Sequence, residues 1–423
     1  MTTKAIKDML GRSSLTPVHE AVSILLGKLS EISRQTTSCS LPNALDRVLS
    51  SDIYSPEDLP AHPRSTMDGF AVRAADTFGA SSSMPCYLEI DGEVAMGQMP
   101  EGEVGKGKCF RIATGGLLPA GSDAVVMFEH TIPVDEKMLE IVKSVGVGTS
   151  LINRGEDIGK NDAALPGGHL LRPQDLGLLA GLGISEVEVF EKPRVGILST
   201  GDEIVPWSES PAPGKIRDIN GITLGALCTG LGAEVTDYGI VSDNEDVFFP
   251  TVKRATEENN IVLFSGGSSV GMRDLGERVI DKLGQPGILV HGVKLKPGKP
   301  IIIGLTNDTA IFGLPGHPVS AMVCFEFFVK PALRSFAGLP ELAKEEKPTV
   351  SAILDRNINS AAGRLDLVRV QLSSQNDALP LATPVLGKSG SISTLSRAHG
   401  YFLIPEDAQG IQKNTTVKVH LLQ

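Results

Sequence analysis

The sequence predicts a multi-domain chain of the α/β-plus-β class, built around a central doubly wound sheet. Its 423 residues are too many for one ordinary hydrophobic core. Between residues 192 and 336, apolar strand-like runs alternate with helical patterns, which is typical of a parallel sheet covered by helices. Before and after this region, short alternating stretches lie between glycine-rich turns, which is typical of β domains.

The first part of the chain predicts helices on both sides of an inserted β module. Thr16 and Pro17 have the residue types of an N-cap and a first helical position, so an amphipathic helix is expected through Leu29. Residues 45–50 and 162–183 give two further helical patterns. The β module between them is predicted from alternating stretches at residues 87–90, 109–112, 124–128 and 138–143.

The central region predicts four helices between its strands, and the end of the chain predicts a small β domain. The helices are expected at residues 222–231, 247–258, 275–283 and 319–334. A charged run at residues 344–348 separates this region from the last part of the chain. The strand-like pieces of that part lie at residues 349–354, 367–372, 401–404 and 416–421.

Three apolar runs of the central region end in glycine turns that contain polar side chains. Residues 195–198 lead to Asp202 and Glu203, and residues 261–264 lead to a turn rich in glycine and serine. The third run leads to a proline- and glycine-containing turn that begins at Pro315. Ligands of open α/β sheets bind outside the carboxyl ends of the strands, and glycines let the backbone approach them. The sequence therefore predicts a site for a phosphorylated ligand with carboxylates beside it.

The composition excludes several classes of protein. A net charge of −11 and an aromatic content of 4% are unlike those of a protein that binds single-stranded nucleic acid. The five cysteines form no CxxC pair, so neither a disulfide framework nor a zinc site is indicated. No apolar run is long enough to span a membrane and no signal peptide is visible, so we expect a cytoplasmic protein. The P-loop, HExxH and GxSxG motifs are absent.

Local pattern leaves two interpretations open for the charged residues of these turns. Asp202 and Glu203 suit either a ligand site or a solvated turn that caps a helix. Asp274 is either a metal ligand or an N-cap. Lys296 and Lys299 suit either binding of phosphate or another oxyanion or the exposed position that is usual for lysine, and the flanking prolines fix the direction in which they point.

Four further positions are equally ambiguous when they are considered alone. His317 lies in a proline-flanked turn, where it either contacts a ligand or has a structural role. Asp68 and Asp157 lie in turns before and after the β module. A glycine-rich loop within that module begins at Thr114.

Taken in order, these pieces resemble the molybdopterin molybdenumtransferase family, which includes MoeA and the gephyrin E domain. The resemblance covers nearly the whole chain from about Thr16. The matching stretches are RSTMDGFA from Arg64, ATGGLLPAGSDAVVMFE from Ala113, RGEDIG from Arg154, PRVGILSTGDEIV from Pro193, GKIRDIN from Gly214, SGGSSVGMRD from Ser265, KPGKP from Lys296, GLPGHPVSA from Gly313 and GSISTLSRAHGYFLIPE from Gly390.

The resemblance implies a multi-domain α/β plus β subunit with four domains, which forms a homodimer. Residues 16–54 and 159–188 would form a split elongated helical domain, and residues 55–158 an inserted β domain. Residues 189–337 would form a central three-layer αβα molybdopterin-binding domain, and residues 345–423 a C-terminal β barrel.

The resemblance also implies an activity and a set of partners. Family members insert molybdate into adenylylated molybdopterin, release AMP and form the molybdenum cofactor, and they require Mg²⁺. The expected partners are the molybdopterin adenylyltransferase, which supplies the substrate, and the molybdoenzymes that receive the product. Neither a nucleic acid nor a membrane is expected as a partner.

The functional residues are carried over motif by motif. The acidic positions that the family requires fall on Asp68, Asp157, Glu203, Asp243 and Asp274, of which the last three are the predicted metal ligands. The residues predicted to bind the pterin substrate, its phosphate or the oxyanion are Thr114, Gly115, Ser199, Thr200, Gly201, Asp202, Ser265, Gly266, Gly267, Ser269, Gly271, Lys296, Pro297, Gly298, Lys299, Pro315, Gly316, His317, Pro318 and Ser320.

Three positions depart from the family's usual pattern. His317 stands where asparagine is common, Ser268 where valine is common, and Arg217 adds a cation to a segment that usually lacks one. None of these changes removes an acidic position. Three alternatives stay open: an insertase that prefers tungstate, a non-catalytic dimeric scaffold of the same fold, and a nucleotide-processing hydrolase on the same sheet. The retained carboxylates count against the scaffold.

Overall fold

The structure, a computed structural model, describes residues 15–266, 270–339, 348–376 and 378–422. The chain divides into two compact units, one of residues 38–45 and 51–188 and the other of the remaining residues. We number the helices and the strands of the three large sheets in chain order and name the other elements by their residues. Among the described residues, no helix is long and apolar enough to cross a membrane.

The unit of residues 38–45 and 51–188 contains a six-stranded sheet, as the alternating stretches predicted. Its strands are β1 (Gly69–Val72), β2 (Cys86–Val94), β3 (Lys108–Ile112), β4 (Ala124–Met127), β5 (Thr131–Pro133) and β6 (Met138–Ile141). The spatial order is β4-β1-β3-β2-β6-β5. One face of this sheet buries an apolar cluster that includes Phe70, Leu88 and Ile141. The shorter elements of this part of the chain are Leu41–Asn43, Ile53–Tyr54, Arg64–Ser65, Ala74–Thr77, Phe128–His130, Leu151–Ile152 and Ala163–Leu165.

Two of the three helices predicted for the first part of the chain differ from the structure. The first is confirmed as α1 (Val18–Leu29). Residues 45–50 form no helix, because Asp46 has a φ of 60° and interrupts the helical backbone. The helix expected over residues 162–183 is confined to α2 (Pro173–Gly181). Gly168, with a φ of 77°, lies before the helix, and Pro173 is suited only to its first turn.

The central sheet belongs to the other unit and is mixed rather than wholly parallel. Its strands are β7 (Arg194–Thr200), β8 (Glu234–Val241), β9 (Ile261–Gly266), β10 (Pro286–His291), β12 (Ile302–Thr306) and β13 (Thr309–Pro315), and β11 (Leu295–Lys296) pairs elsewhere. The order is β8-β7-β9-β13-β12-β10, in which the first four strands are parallel. β12 is antiparallel to β13 because Asn307 and Asp308 join them in a two-residue hairpin, and β10 is antiparallel to β12.

Helices cover both faces of this sheet, which confirms the three-layer αβα arrangement. The helices are α3 (Asn220–Gly230), α4 (Glu245–Glu258), α5 (Val270–Leu283), α6 (Pro318–Cys324) and α7 (Lys330–Phe336), with a π-helical turn at Phe325–Val329. Ile261 and Leu263 pack on one side with residues of α1, α3 and α6, whereas Val262 packs on the other side with α4 and α5. The alternation follows from the period of two along a buried strand.

Two helix boundaries differ from the prediction in ways that affect the site. α5 begins at Val270 rather than at residue 275, so Asp274 lies inside the helix and its interpretation as an N-cap is wrong. The single helix expected over residues 319–334 is divided by the π-helical turn into α6 and α7. Pro331 lies in the first turn of α7, where it needs no helical amide partner.

The C-terminal region forms a closed five-stranded barrel. Its strands are β14 (Thr349–Leu354), β15 (Leu365–Gln375), β16 (Ala378–Pro384), β17 (Gly400–Ile404) and β18 (Thr416–Leu421), with a short helix α8 (Ser393–Ser396). Pairing between β15 and β17 closes the ring. The two-residue strand β11 joins the same sheet beside β15, with Lys296 opposite Asp366. The remaining elements are Thr36–Ser40, Glu186–Phe190, Ile204–Val205, Ile216–Arg217, Ile358–Asn359 and Gly410–Ile411.

Candidate functional site

The carboxyl ends of β7, β9 and β13 lie side by side, as the sequence predicted. Thr200 is the register partner of Gly266, and Gly266 is the register partner of Pro315. Only glycine fits at position 266, because a Cβ there would lie 1.9 Å from Thr200 Oγ1 and 2.2 Å from the carbonyl oxygen of Thr200. A side chain at the start of the glycine turn would therefore collide with the neighbouring strand.

Several buried polar atoms at this edge lack a hydrogen-bond partner within the part of the chain that the structure describes. They are the hydroxyl oxygens of Ser199, Thr200 and Ser265 and the side-chain oxygen of Asn220 at the start of α3. The amide nitrogen of Asn220 donates to the carbonyl oxygen of Gly316 at 3.0 Å and so connects α3 to the third turn. Because buried polar groups are nearly always paired, this group of atoms is suited to binding a polar ligand.

Acidic side chains gather beside these hydroxyls. Asp202 and Glu203 are exposed after β7, and Asp243 is half-buried after β8. Burial, and then the negative charges of Asp202 and Glu203, raise the pKa of Asp243. Its Oδ1 is buried and has no partner among the described residues. A cation at this position would relieve the repulsion among the three carboxylates.

Carboxylates alone do not form a complete metal site here. Among the described side chains, no three His, Cys, Asp or Glu residues are grouped closely enough to hold a metal ion. Asp274 is exposed on α5. A divalent cation bound to these acids would therefore need oxygen ligands from water or from a phosphorylated substrate, which is the usual manner in which proteins bind Mg²⁺.

A cavity of about 280 Å³ opens beside the ends of β9 and β13. Its lining residues include the cationic Lys296, Lys299 and Arg364 and two serines, Ser320 and Ser389. The predicted residues Gly266, Pro297, Gly298, Pro315 and His317 also line it. The turn before β12 and the barrel thus bring three positive charges to one cavity, which suits an oxyanion.

Two residues of this cavity were not predicted from the sequence. Arg364 precedes β15 and its Nε is buried without a hydrogen-bond partner in the described chain, and Ser389 lies in the loop before α8. The carbonyl oxygen of Ser389 accepts a hydrogen bond from the amide of Val319 at 3.1 Å. Neither residue has a local motif, because tertiary contacts bring both to the cavity: the pairing of β11 with β15 places Arg364, and the hydrogen bond with Val319 places Ser389.

The unit of residues 38–45 and 51–188 contains a second predicted group. Asp68 Oδ1 accepts a hydrogen bond of 2.7 Å from the backbone amide of Thr114, and hydrogen bonds from Thr114 lower the pKa of Asp68. Arg64 donates to the carbonyl oxygen of Gly115 at 2.7 Å. The structure therefore brings Asp68, Thr114 and Gly115 together. Asp157 is exposed in the turn after Leu151–Ile152.

The remaining predicted residues occupy the turns between these groups. Gly201 has a φ of 141° and lies beside the Glu203 carboxylate. Gly267 and Ser269 lie outside the described residues, as does Ser268, and Gly271 is in the first turn of α5. Gly316 follows β13, Pro318 is the first residue of α6, and His317 between them is exposed.

Three family models match the chain in order. They are "MoeA N-terminal region (domain I and II)" over residues 16–183, "Probable molybdopterin binding domain" over residues 196–335 and "MoeA C-terminal region (domain IV)" over residues 351–422. Every site residue predicted from the sequence lies within the first or the second of these matches.

Named proteins resemble the chain over nearly its whole length. A molybdopterin molybdenumtransferase of Bacillus subtilis is 34% identical over 98% of this chain and 96% of its own length. That of Haemophilus influenzae is 33% identical over 92% and 95%. The crystal structure of the molybdopterin biosynthesis MoeA protein from Pyrococcus horikoshii OT3 has a TM-score of 0.82 at 32% identity and covers 97% of this chain and 100% of its own.

Proposed function

The chain belongs to the MoeA family, and on that premise we propose that it is a molybdopterin molybdenumtransferase. The enzyme inserts molybdate into adenylylated molybdopterin, releases AMP and forms the molybdenum cofactor. The observation that most directly supports this activity is the cavity in which Lys296, Lys299 and Arg364 converge beside the ends of β9 and β13.

Molybdate is a tetrahedral dianion that presents four oxygen acceptors. Lys296 and Lys299 act as point charges toward it, and Arg364 supplies parallel N–H donors. The hydroxyls of Ser320 and Ser389 add neutral donors at the wall of the same cavity. These residues hold the oxyanion and select it by charge and by hydrogen bonding.

The pterin substrate binds at the adjoining strand ends. The hydroxyls of Ser199, Thr200 and Ser265 and the oxygen of Asn220 provide buried polar groups that have no partner among the described residues and that a bound ligand would satisfy. Glycine at position 266 lets β9 pack against Thr200 of β7 without a steric clash and so keeps these polar groups together. This arrangement orients the phosphorylated pterin so that its dithiolene faces the oxyanion.

The acidic group beside the strand ends fits Mg²⁺, which we propose as the required metal. The unpartnered Oδ1 of Asp243 and the crowding of its carboxylate by Asp202 and Glu203 favour a bound cation. Glu203 and Asp243 would hold it, with the remaining oxygen ligands supplied by water and by the phosphorylated substrate. Asp274, predicted as a third ligand, is exposed on α5 and is not grouped with these two acids closely enough to share the ion. When bound, Mg²⁺ neutralises charge on the phosphoanhydride that joins pterin phosphate to AMP.

Cleavage of that anhydride by water needs no nucleophilic side chain. The chain's residues contribute by binding both substrates in contact, by placing carboxylates at the anhydride and by holding molybdate at the dithiolene. Asp68, with its carboxylate fixed by Thr114, and Asp157 complete the proposed set of required acids. We further propose that the protein acts as a homodimer, which light scattering on the purified protein will measure.

The test is conversion of adenylylated molybdopterin and molybdate into cofactor that activates a molybdenum-free apoenzyme, with AMP release measured in parallel. Wild-type protein should support both reactions in Mg²⁺. Arg364→Gln should raise the KM for molybdate at least about tenfold, because a charge-assisted contact is lost. Arg356→Gln is the matched control, because Arg356 pairs with Asp355 and does not line the cavity.

Different results would refute the activity and the assignment of the cavity. Wild-type protein that releases no AMP and forms no cofactor would refute the proposed function. Equal KM values for the wild type and Arg364→Gln would refute the assignment of the cavity. Tungstate in place of molybdate measures which oxyanion is preferred.

A further inference from the structure

The ammonium group of Lys296 forms an ion pair with Asp366, a residue that does not line the cavity. Its ammonium nitrogen lies 2.7 Å from Asp366 Oδ2, and the hydroxyl of Ser360 donates to the same oxygen at 2.9 Å. Asp366 is only 4% exposed, whereas the side chain of Lys296 is 47% exposed. The lysine therefore bridges a buried anion on one side and the open cavity on the other.

The strand pairing of β11 with β15 fixes this contact. Lys296 and Asp366 are register partners, and the amide of Leu365 donates to the carbonyl oxygen of Lys294 at 2.8 Å. Arg364, which lines the cavity, precedes Asp366 by two residues. The negative charge thus cannot move away from Lys296 without disturbing the ladder that also places Arg364.

Because only the Lys296 ammonium group separates the Asp366 carboxylate from the cavity, Asp366 has two opposing effects on anion binding. It restricts Lys296 to one direction, which lowers the entropy lost when the anion binds. It also repels the anion, and charges a few ångströms apart interact strongly even at the effective dielectric constant of a protein surface. The repulsion acts on both charges of a dianion, whereas the restriction concerns one flexible side chain, so repulsion is the larger effect.

We propose that Asp366 is a positioning residue that orients Lys296 and, by offsetting its charge, limits the affinity of the cavity for oxyanions. This inference rests on the proposed function, because it specifies how the cavity binds its oxyanion. A cavity of moderate affinity releases the bound oxyanion readily, so that it can be transferred to the pterin.

Asp366→Asn isolates the charge. The amide has the shape of the carboxylate, and its oxygen still accepts hydrogen bonds from Lys296 and Ser360. Molybdate binding to the purified full-length protein, measured by equilibrium dialysis, should be about tenfold tighter in this variant, which corresponds to about 1.4 kcal/mol. The KM for molybdate should fall in parallel, without a rise in kcat. A residue with a merely structural role would weaken binding and lower Tm together.

Ser360→Ala provides a second variant with the opposite expected sign. It removes a hydrogen bond that partly neutralises Asp366, so molybdate should bind about two- to threefold more weakly. Asp355→Asn is the matched control, because it removes one negative charge from the same barrel at a carboxylate that pairs with Arg356 and Thr383 instead. Its molybdate Kd should stay within about twofold of the wild-type value.

Different results would refute the proposed function and the role of Asp366. If the wild type binds neither molybdate nor tungstate, the proposed function is wrong. If the wild type binds molybdate and Asp366→Asn binds it equally well or more weakly, the role of Asp366 is wrong. If Asp366→Asn does not fold, tighter or unchanged binding by Ser360→Ala refutes the same role.

Discussion

Replacement of Gly298 by alanine is the sharpest test of how the lysine turn is built. Gly298 lies between Lys296 and Lys299, is buried, and has a φ of 123°. A Cβ at this position would lie 2.8 Å from Cys324 Sγ and 3.1 Å from a methyl carbon of Leu295. Cys324 is fully buried, and its thiol donates to the carbonyl oxygen of Gly298 at 3.3 Å, so it has little freedom to move away.

Two independent terms contribute to the loss of unfolding free energy in Gly298→Ala. Holding a non-glycine residue at positive φ costs about 1–2 kcal/mol. Inserting a methyl group into a filled core costs about 1–3 kcal/mol more. Gly298→Ala should therefore lower the free energy of unfolding by about 2–5 kcal/mol, a large part of the usual 5–15 kcal/mol. It should also weaken molybdate binding, because the turn that orients both lysines shifts.

The assay is urea unfolding followed by circular dichroism, with molybdate binding measured on the same samples. Gly298→Ala combined with Cys324→Ala should recover about 1–2 kcal/mol, because the closest contact is removed whereas the contact with Leu295 and the backbone term remain. Gly225→Ala in α3 is the control, since its nearest atom would lie at an ordinary 3.8 Å and its φ is not positive. Wild-type stability in Gly298→Ala, or no recovery in the double variant, would refute this reasoning.

Two further predictions concern charges. Asp243→Asn should raise Tm in Mg²⁺-free buffer at neutral pH, because the raised pKa of Asp243 means that folding disfavours its ionised form. The gain in Tm should shrink as pH falls through that pKa and disappear at lower pH, where Asp243 is protonated in both states. A lower Tm of the variant at pH 7 would contradict the prediction. Asp175→Asn should destabilise the protein by about 1–2 kcal/mol at pH 7. Arg172 and His169 hold the pKa of Asp175 well below its usual value, so this difference should be full above about pH 4 and shrink steadily at lower pH in urea titrations. A loss as large at pH 2 as at pH 7 would contradict it.

Strand-forming patterns were the most reliable part of the sequence prediction. Buried strands such as Ile261–Gly266 are short, apolar and followed by glycine, and each of these properties is local. The interruption of a helix is less visible, because it depends on single residues. Asp46 at positive φ ends a helical pattern that its neighbours support. The hairpin at Asn307 likewise reverses a strand that the alternation alone would make parallel.

The candidate site was predictable where its polar residues lie together in one segment of the sequence. Lys296 and Lys299 share a turn, and Ser199 and Thr200 end one strand. Arg364 could not be found in this manner, because one arginine before a strand is common and only tertiary pairing gives it a role. Ser389, in a loop of the barrel, was missed for the same reason.

The two-residue ladder between β11 and β15 has a consequence for the modularity of this protein. The barrel would ordinarily be regarded as a separable appendage, since it has its own core. Yet a chain cut after Gly338 would retain every strand of the central sheet while losing Arg364 and Ser389. Such a fragment would keep the proposed pterin surface but lose two of the polar residues that line the cavity. If the proposed function holds, exchange of barrels between relatives should transfer oxyanion selectivity while the proposed pterin surface stays constant.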